Sequence, residues 1–236
     1  MGMSDVLAGP PPVLVAGAGL LALVLSVVVW PVVTVLMTIA HEGGHALTGS
    51  LLGGTVKYIK IRQTGDGVTQ FAPGIGPVAH FFAALAGYAG PSVFGLLGAV
   101  LLADGQVSVV LWLSLVFLVL ALLSTSNWFG GVLIVVVGGV IVLVIRYATG
   151  GERTFFTYTW IWLLLFGGVV DVFAMQALRR RGGQIPDLHI LRAKTYVPTS
   201  LWSGFYWLLS VVILVVGGGI LLGILAPDPR AWVPHG

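Results

Sequence analysis

Cysteine is absent from these 236 residues, which excludes disulfides, cysteine-ligated metal sites and thiol nucleophiles. Charge is nearly as scarce. Asp, Glu, Lys and Arg together make up 8% of the chain, and the only glutamates are Glu42 and Glu152. A soluble domain of this length needs a charged surface that such a composition does not supply. With 58% hydrophobic residues and a mean hydropathy of +1.05, the chain reads instead as a helical integral membrane protein. The N-terminus lacks a basic cluster and a small-residue cleavage site, so no cleavable signal sequence is expected. The net charge of +3 sits in loops between apolar runs. That points to membrane topology, with the lipid bilayer as partner and no nucleic acid.

Apolar runs occur at about 12–40, 77–103, 107–123, 131–146, 155–178 and 201–225, to be compared with the ~20 residues that a crossing needs. The expected fold is an all-α polytopic membrane protein, one domain over residues 1–236. It has about six transmembrane helices and a short β-hairpin after the first. The first run exceeds one crossing and contains Pro31, which predicts a single bent helix from about residue 12 to residue 52, ended by Gly53-Gly54. Lys57, Lys60, Arg62, Arg179, Arg180, Arg181, Arg192 and Lys194 fall on one side of this topology, and Arg146, Arg153 and Arg230 on the other. The excess puts the first group in the cytoplasm.

Against that apolar background stands His41-Glu42-Gly43-Gly44-His45. On a helix, His41 and His45 lie one turn apart on one face, so both imidazoles can reach one metal ion. Glu42 sits about 100° round the helix, close enough to take a proton from water at that metal without ligating it. A shuffled chain of this composition would contain roughly 0.001 such patterns. Ionisable groups inside an apolar span are costly and mark function. The pattern is that of a zinc hydrolase.

Between Thr55 and Ala72, β-type residues mix with lysines around the turn Thr64-Gly65-Asp66-Gly67, which reads as a hairpin following the motif helix. Its functional reading is an edge strand able to hold an extended peptide beside the metal. Gly87, Gly90-Pro91 and Gly95 in the next span permit either close helix approach or a break.

A catalytic zinc needs a third protein ligand. Glu152 falls on the outer side, Asp5 and Asp228 in tails, Asp66 in the turn and Asp104 in an outer loop. Asp171 and Asp187 remain. Asp171 lies near the inner end of the fifth span, where an unpaired carboxylate would be expensive, and Asp187 heads the short segment Leu188 to Thr195, where it also suits a helix N-cap. His80, His189 and His235 read as packing or interface residues.

The motif, the hairpin after it and Gly90-Pro91 resemble the site-2 protease family of intramembrane zinc metalloproteases, and more closely its small bacterial site-2-protease-like (peptidase M50B-like) branch. That branch ends on an Asp, a Leu-rich turn, a Thr, a Pro and a Trp. Asp187, Leu188, Leu191, Thr195, Pro198 and Trp202 stand in that order. The Asn-Pro-Asp-Gly or Leu-Asp-Gly element of typical site-2 proteases is missing, and Asn127-Trp128-Phe129-Gly130-Gly131 occupies its expected place without the Asp. The branch also more often has Ser where Pro186 stands. The resemblance implies one zinc ion per chain on His41, His45 and Asp187, with Asp171 as the alternative ligand, and Glu42 as general base. It further implies a transmembrane segment of another membrane protein as substrate. The expected location is the cell membrane, with the site near the cytoplasmic side. The rival reading is a catalytically inactive scaffold or a metal- or ion-handling membrane protein, although the chain has neither an internal repeat nor acidic groups through several spans.

Overall fold

The computed structural model describes residues 10–225. Asp5, Asp228, Arg230 and His235 lie outside them. Among the described residues the first apolar run forms two helices, α1 (Pro12–Val28) and α2 (Trp30–Leu51), bent by 105° at Val29. This corrects the expectation of one bent helix. Pro31 lies in the first turn of α2, where its missing N–H removes no hydrogen bond and its fixed φ suits a helix start. It therefore opens a second helix. The end of α2 is as expected. Gly53 adopts φ +87°, its N–H donates to Ser50 O at 3.0 Å and that of Gly54 donates to Gly49 O at 2.8 Å, a Schellman closure.

The hairpin β1 (Val56–Ile61) and β2 (Gly67–Phe71) follows, then α3 (Pro77–Ala103), α4 (Val107–Ser124), α5 (Trp128–Tyr147), α6 (Gly150–Arg180), the short α7 (Pro186–Thr195) and α8 (Thr199–Leu221). Helices α3, α4, α5, α6 and α8 are each long and apolar enough to cross a membrane, and the α1–α2 pair makes a sixth span if taken as one broken crossing. The protein is thus all-α and polytopic, with a two-stranded antiparallel sheet after the first helices. Leu113, Val116, Leu120 and Leu123 form an exposed stripe along α4 at helical spacing, the surface that lipid covers. Glu152 closes a capping box with Thr149 at the start of α6, a purely local duty.

Two contacts place the motif. First, α2 crosses α3 at close range. A Cβ at Gly44 would lie 2.7 Å from Ala86 O, and one at Gly90 would lie 2.8 Å from Ala40 O. Small residues permit such backbone approach between membrane helices. Gly90-Pro91 does not break α3, which continues through it. Second, the hairpin docks on the other side of α2, where Thr38 Oγ1 donates to Gly65 O at 2.7 Å. Ile59 and Ile61 are buried beneath it. Asn127 fastens β1, accepting from Ile61 N at 3.1 Å and donating to Ile61 O at 2.7 Å.

Candidate metal centre

His41 and His45 project from the middle of α2 toward α3, α6 and α7. His45 is buried, and His41 keeps a little exposure. His45 Nδ1 lies 2.7 Å from Ala83 O. A carbonyl only accepts, so the Nδ1 carries the proton and Nε2 keeps its lone pair. His41 Nδ1 lies 3.3 Å from Asp171 Oδ2, and the same logic places its proton there. Both Nε2 atoms then face one carboxylate oxygen. Asp187 Oδ2 is 3.2 Å from His41 Nε2 and 3.3 Å from His45 Nε2.

Those separations can be compared with the geometry of a tetrahedral ion. Nitrogen and oxygen ligands at ~2.0–2.1 Å from zinc stand about 3.3–3.4 Å apart along a tetrahedron edge. The donor set therefore suits a zinc-like ion. So does the space beside it. A Cβ at Gly87 on α3 would stand 2.5 Å from His45 Nε2 and 2.8 Å from His41 Nε2, so any larger residue there would crowd the two lone pairs.

Glu42 is turned toward the hairpin. Its Oε2 accepts from Thr69 Oγ1 at 2.7 Å, and the same hydroxyl lies 3.0 Å from Glu42 O. Gly67 lets β2 come this close, because a Cβ there would be 2.5 Å from Glu42 Oε1. The ligand atoms of His41, Glu42 and His45 lie within 4.8 Å of one another, so Glu42 also borders the point on which the imidazoles converge. Its hydrogen bond to Thr69 ties it to the strand, whereas an oxygen of Asp187 sits between the two Nε2 atoms.

The structure thus brings His41, Glu42, His45, Asp171 and Asp187 together, across 146 positions of chain. The two aspartates meet opposite nitrogens of the same imidazole. Among the described residues, Asp66 pairs with Arg62 in the hairpin turn, Asp104 ends α3, and His189 is exposed on α7. Asp187 provides no side-chain cap for α7, so its carboxylate is free to face the imidazoles. Thr69, Gly87 and Tyr88 complete the surroundings, Tyr88 with its ring 4.4 Å from that of His41. Thr69 and Tyr88 carry no sequence signal beyond their place after the motif, whereas Gly87 stands among the small residues of its span that permit close approach.

Residues 14–217 match the family described as Peptidase M50B-like. The chain belongs to that family. Its kind is the membrane metalloprotease, and the His41-Glu42-His45 cluster is compatible with it. No curated protein matches the chain, and no solved structure does.

Proposed function

We propose that this M50B-like protein is an intramembrane zinc endopeptidase that cuts transmembrane or membrane-adjacent segments of other proteins. One observation carries the reading: two imidazole lone pairs and one Asp187 oxygen converge on a single point bordered by Glu42. His41, His45 and Asp187 would hold one zinc per chain. Zinc bound there supplies a Lewis acid that polarises a peptide carbonyl and acidifies water. Glu42 takes the proton from the attacking water and returns it to the leaving amine, with Thr69 fixing its carboxylate. Asp171 fixes the tautomer and tilt of His41 from behind. A helical substrate has its carbonyls engaged in its own hydrogen bonds, so it must unwind locally. The neighbouring β2 offers an extended backbone against which an unwound segment can lie.

The direct test is cleavage of transmembrane peptides by purified protein in liposomes. Cleavage that a chelator abolishes and zinc restores supports the reading. Protein that binds zinc and cleaves nothing, with function in cells intact in Glu42→Gln, favours the metal-handling or scaffold alternative.

The end of the bundle bearing the hairpin and the α6–α7 connection carries eight of the basic side chains, and we place it in the cytoplasm. With no native cysteine, single cysteines report sidedness cleanly. Gln63→Cys and Gly183→Cys should resist impermeant thiol reagents in intact cells, and Gly105→Cys should react. The opposite labelling pattern would put the site on the outer face.

A further inference from the structure

Addition of water to a peptide carbonyl leaves negative charge on the carbonyl oxygen, and metallohydrolase sites lower the barrier further with a fixed hydrogen-bond donor aimed at it. Most polar donors around this centre are engaged elsewhere. Thr69 Oγ1 donates to Glu42. Asn127 is held at both ends of its amide by Ile61, away from the imidazoles. The Tyr206 hydroxyl donates to Ala84 O and Leu85 O at 3.3 and 3.1 Å. The Ser92 hydroxyl, one turn further along α3, also has no hydrogen-bond partner, but it is buried against Gly168 of α6.

Tyr88 differs. It is half-buried on α3, directly after the residue whose missing side chain leaves room at both Nε2 atoms. Its ring stands edge-to-face with His41, at 4.4 Å between centroids and 88° between planes, and is braced from behind by Tyr206 at 5.5 Å. Among the described residues its hydroxyl forms no hydrogen bond, although its ring packs on His41, the partner of both Asp171 and Asp187. A packing role alone would be met by phenylalanine. A hydroxyl in an apolar span beside a metal centre, with its ring clamped and its donor uncommitted, calls for a partner that arrives with the substrate.

We infer that Tyr88 is a catalytic residue whose hydroxyl donates a hydrogen bond to the scissile carbonyl oxygen as negative charge develops on it. The role rests on the proteolytic reading above. The substrate carbonyl then enters the space beside the two Nε2 atoms, within reach of the Tyr88 hydroxyl. Glu42 stands on the hairpin side of the same space and handles the water proton. The two groups divide the work, one at the nucleophile and one at the oxyanion.

Tyr88→Phe keeps the ring contact with His41 and removes only the donor. In liposomes, on a transmembrane peptide that the wild type cleaves, it should lower kcat by about 10²–10³ and leave KM within about threefold, as loss of an oxyanion donor does. Metal content should equal that of the wild type. Affinity for a phosphinic analogue of the peptide, which carries a tetrahedral oxyanion in place of the amide, should fall with kcat. Affinity for the intact peptide, read in a Glu42→Gln background, should not change. Tyr88→Phe with kcat within about threefold of wild type would overturn the assignment. So would loss of metal in parallel with activity, which would make Tyr88 a support for His41. If the wild type cleaves no such peptide, the proteolytic reading itself falls and takes this role with it, an outcome distinct from an active wild type beside an equally active Tyr88→Phe.

Discussion

Glu42→Gln should hold as much metal as the wild type and lose about 10²–10⁴ in kcat, the share that a positioned general base contributes. Glutamine keeps the length of the side chain, and its amide oxygen can still accept from Thr69, whose hydroxyl lies 2.7 Å from Glu42 Oε2. The hairpin contact and the fold are therefore preserved. What disappears is the basic lone pair that takes a proton from water. Metal analysis beside single-turnover cleavage measures both halves. Undiminished cleavage would remove Glu42 from the chemistry. Loss of metal in the same variant would instead make Glu42 a ligand, an option its closeness to both imidazoles keeps physically meaningful.

Asp187→Ala should empty the centre, whereas Asp171→Asn should only weaken it. Asp187 Oδ2 faces Nε2 of both histidines, so its removal leaves a zinc ion with two protein contacts. Among the described residues Asp171 pairs with His41 Nδ1, at 3.3 Å, on the side away from the convergence point. Carboxylates in that position orient a ligand, and their loss costs ~10–100-fold in metal affinity. Titration with a competing chelator should thus show a far larger drop for Asp187→Ala than for Asp171→Asn. Asn at position 171 keeps an oxygen that can accept from Nδ1, which confines the change to charge. The reverse order of affinities would exchange the roles of the two aspartates.

Much of this architecture is legible in the chain because glycine, proline and charged residues punctuate long apolar runs. The ends of α3 and α4 fall within a residue of the apolar runs that predict them. The break at Val29 was not legible. Proline kinks a helix from within and opens one from its first turn, and only the 105° turn distinguishes the two. Nor does the sequence say which face of α4 is buried, because lipid is as apolar as the protein interior and imposes no polar stripe. At the centre, His41, Glu42 and His45 announce themselves by spacing within one helix. Asp171 and Asp187 lie on different helices and both reach His41, so no periodicity separates them. Thr69 and Tyr88 are invisible for the same reason: their roles come from the docking of β2 and α3 against α2.

X-ray absorption at the zinc edge on purified protein tests the central claim most directly. One zinc per chain is expected, bound by two imidazole nitrogens and one carboxylate oxygen at ~2.0–2.2 Å, with one further light atom completing a four-coordinate shell. His41→Ala should abolish the signal. Protein that takes up no zinc, or zinc that keeps its coordination in His41→Ala, would contradict the centre described above.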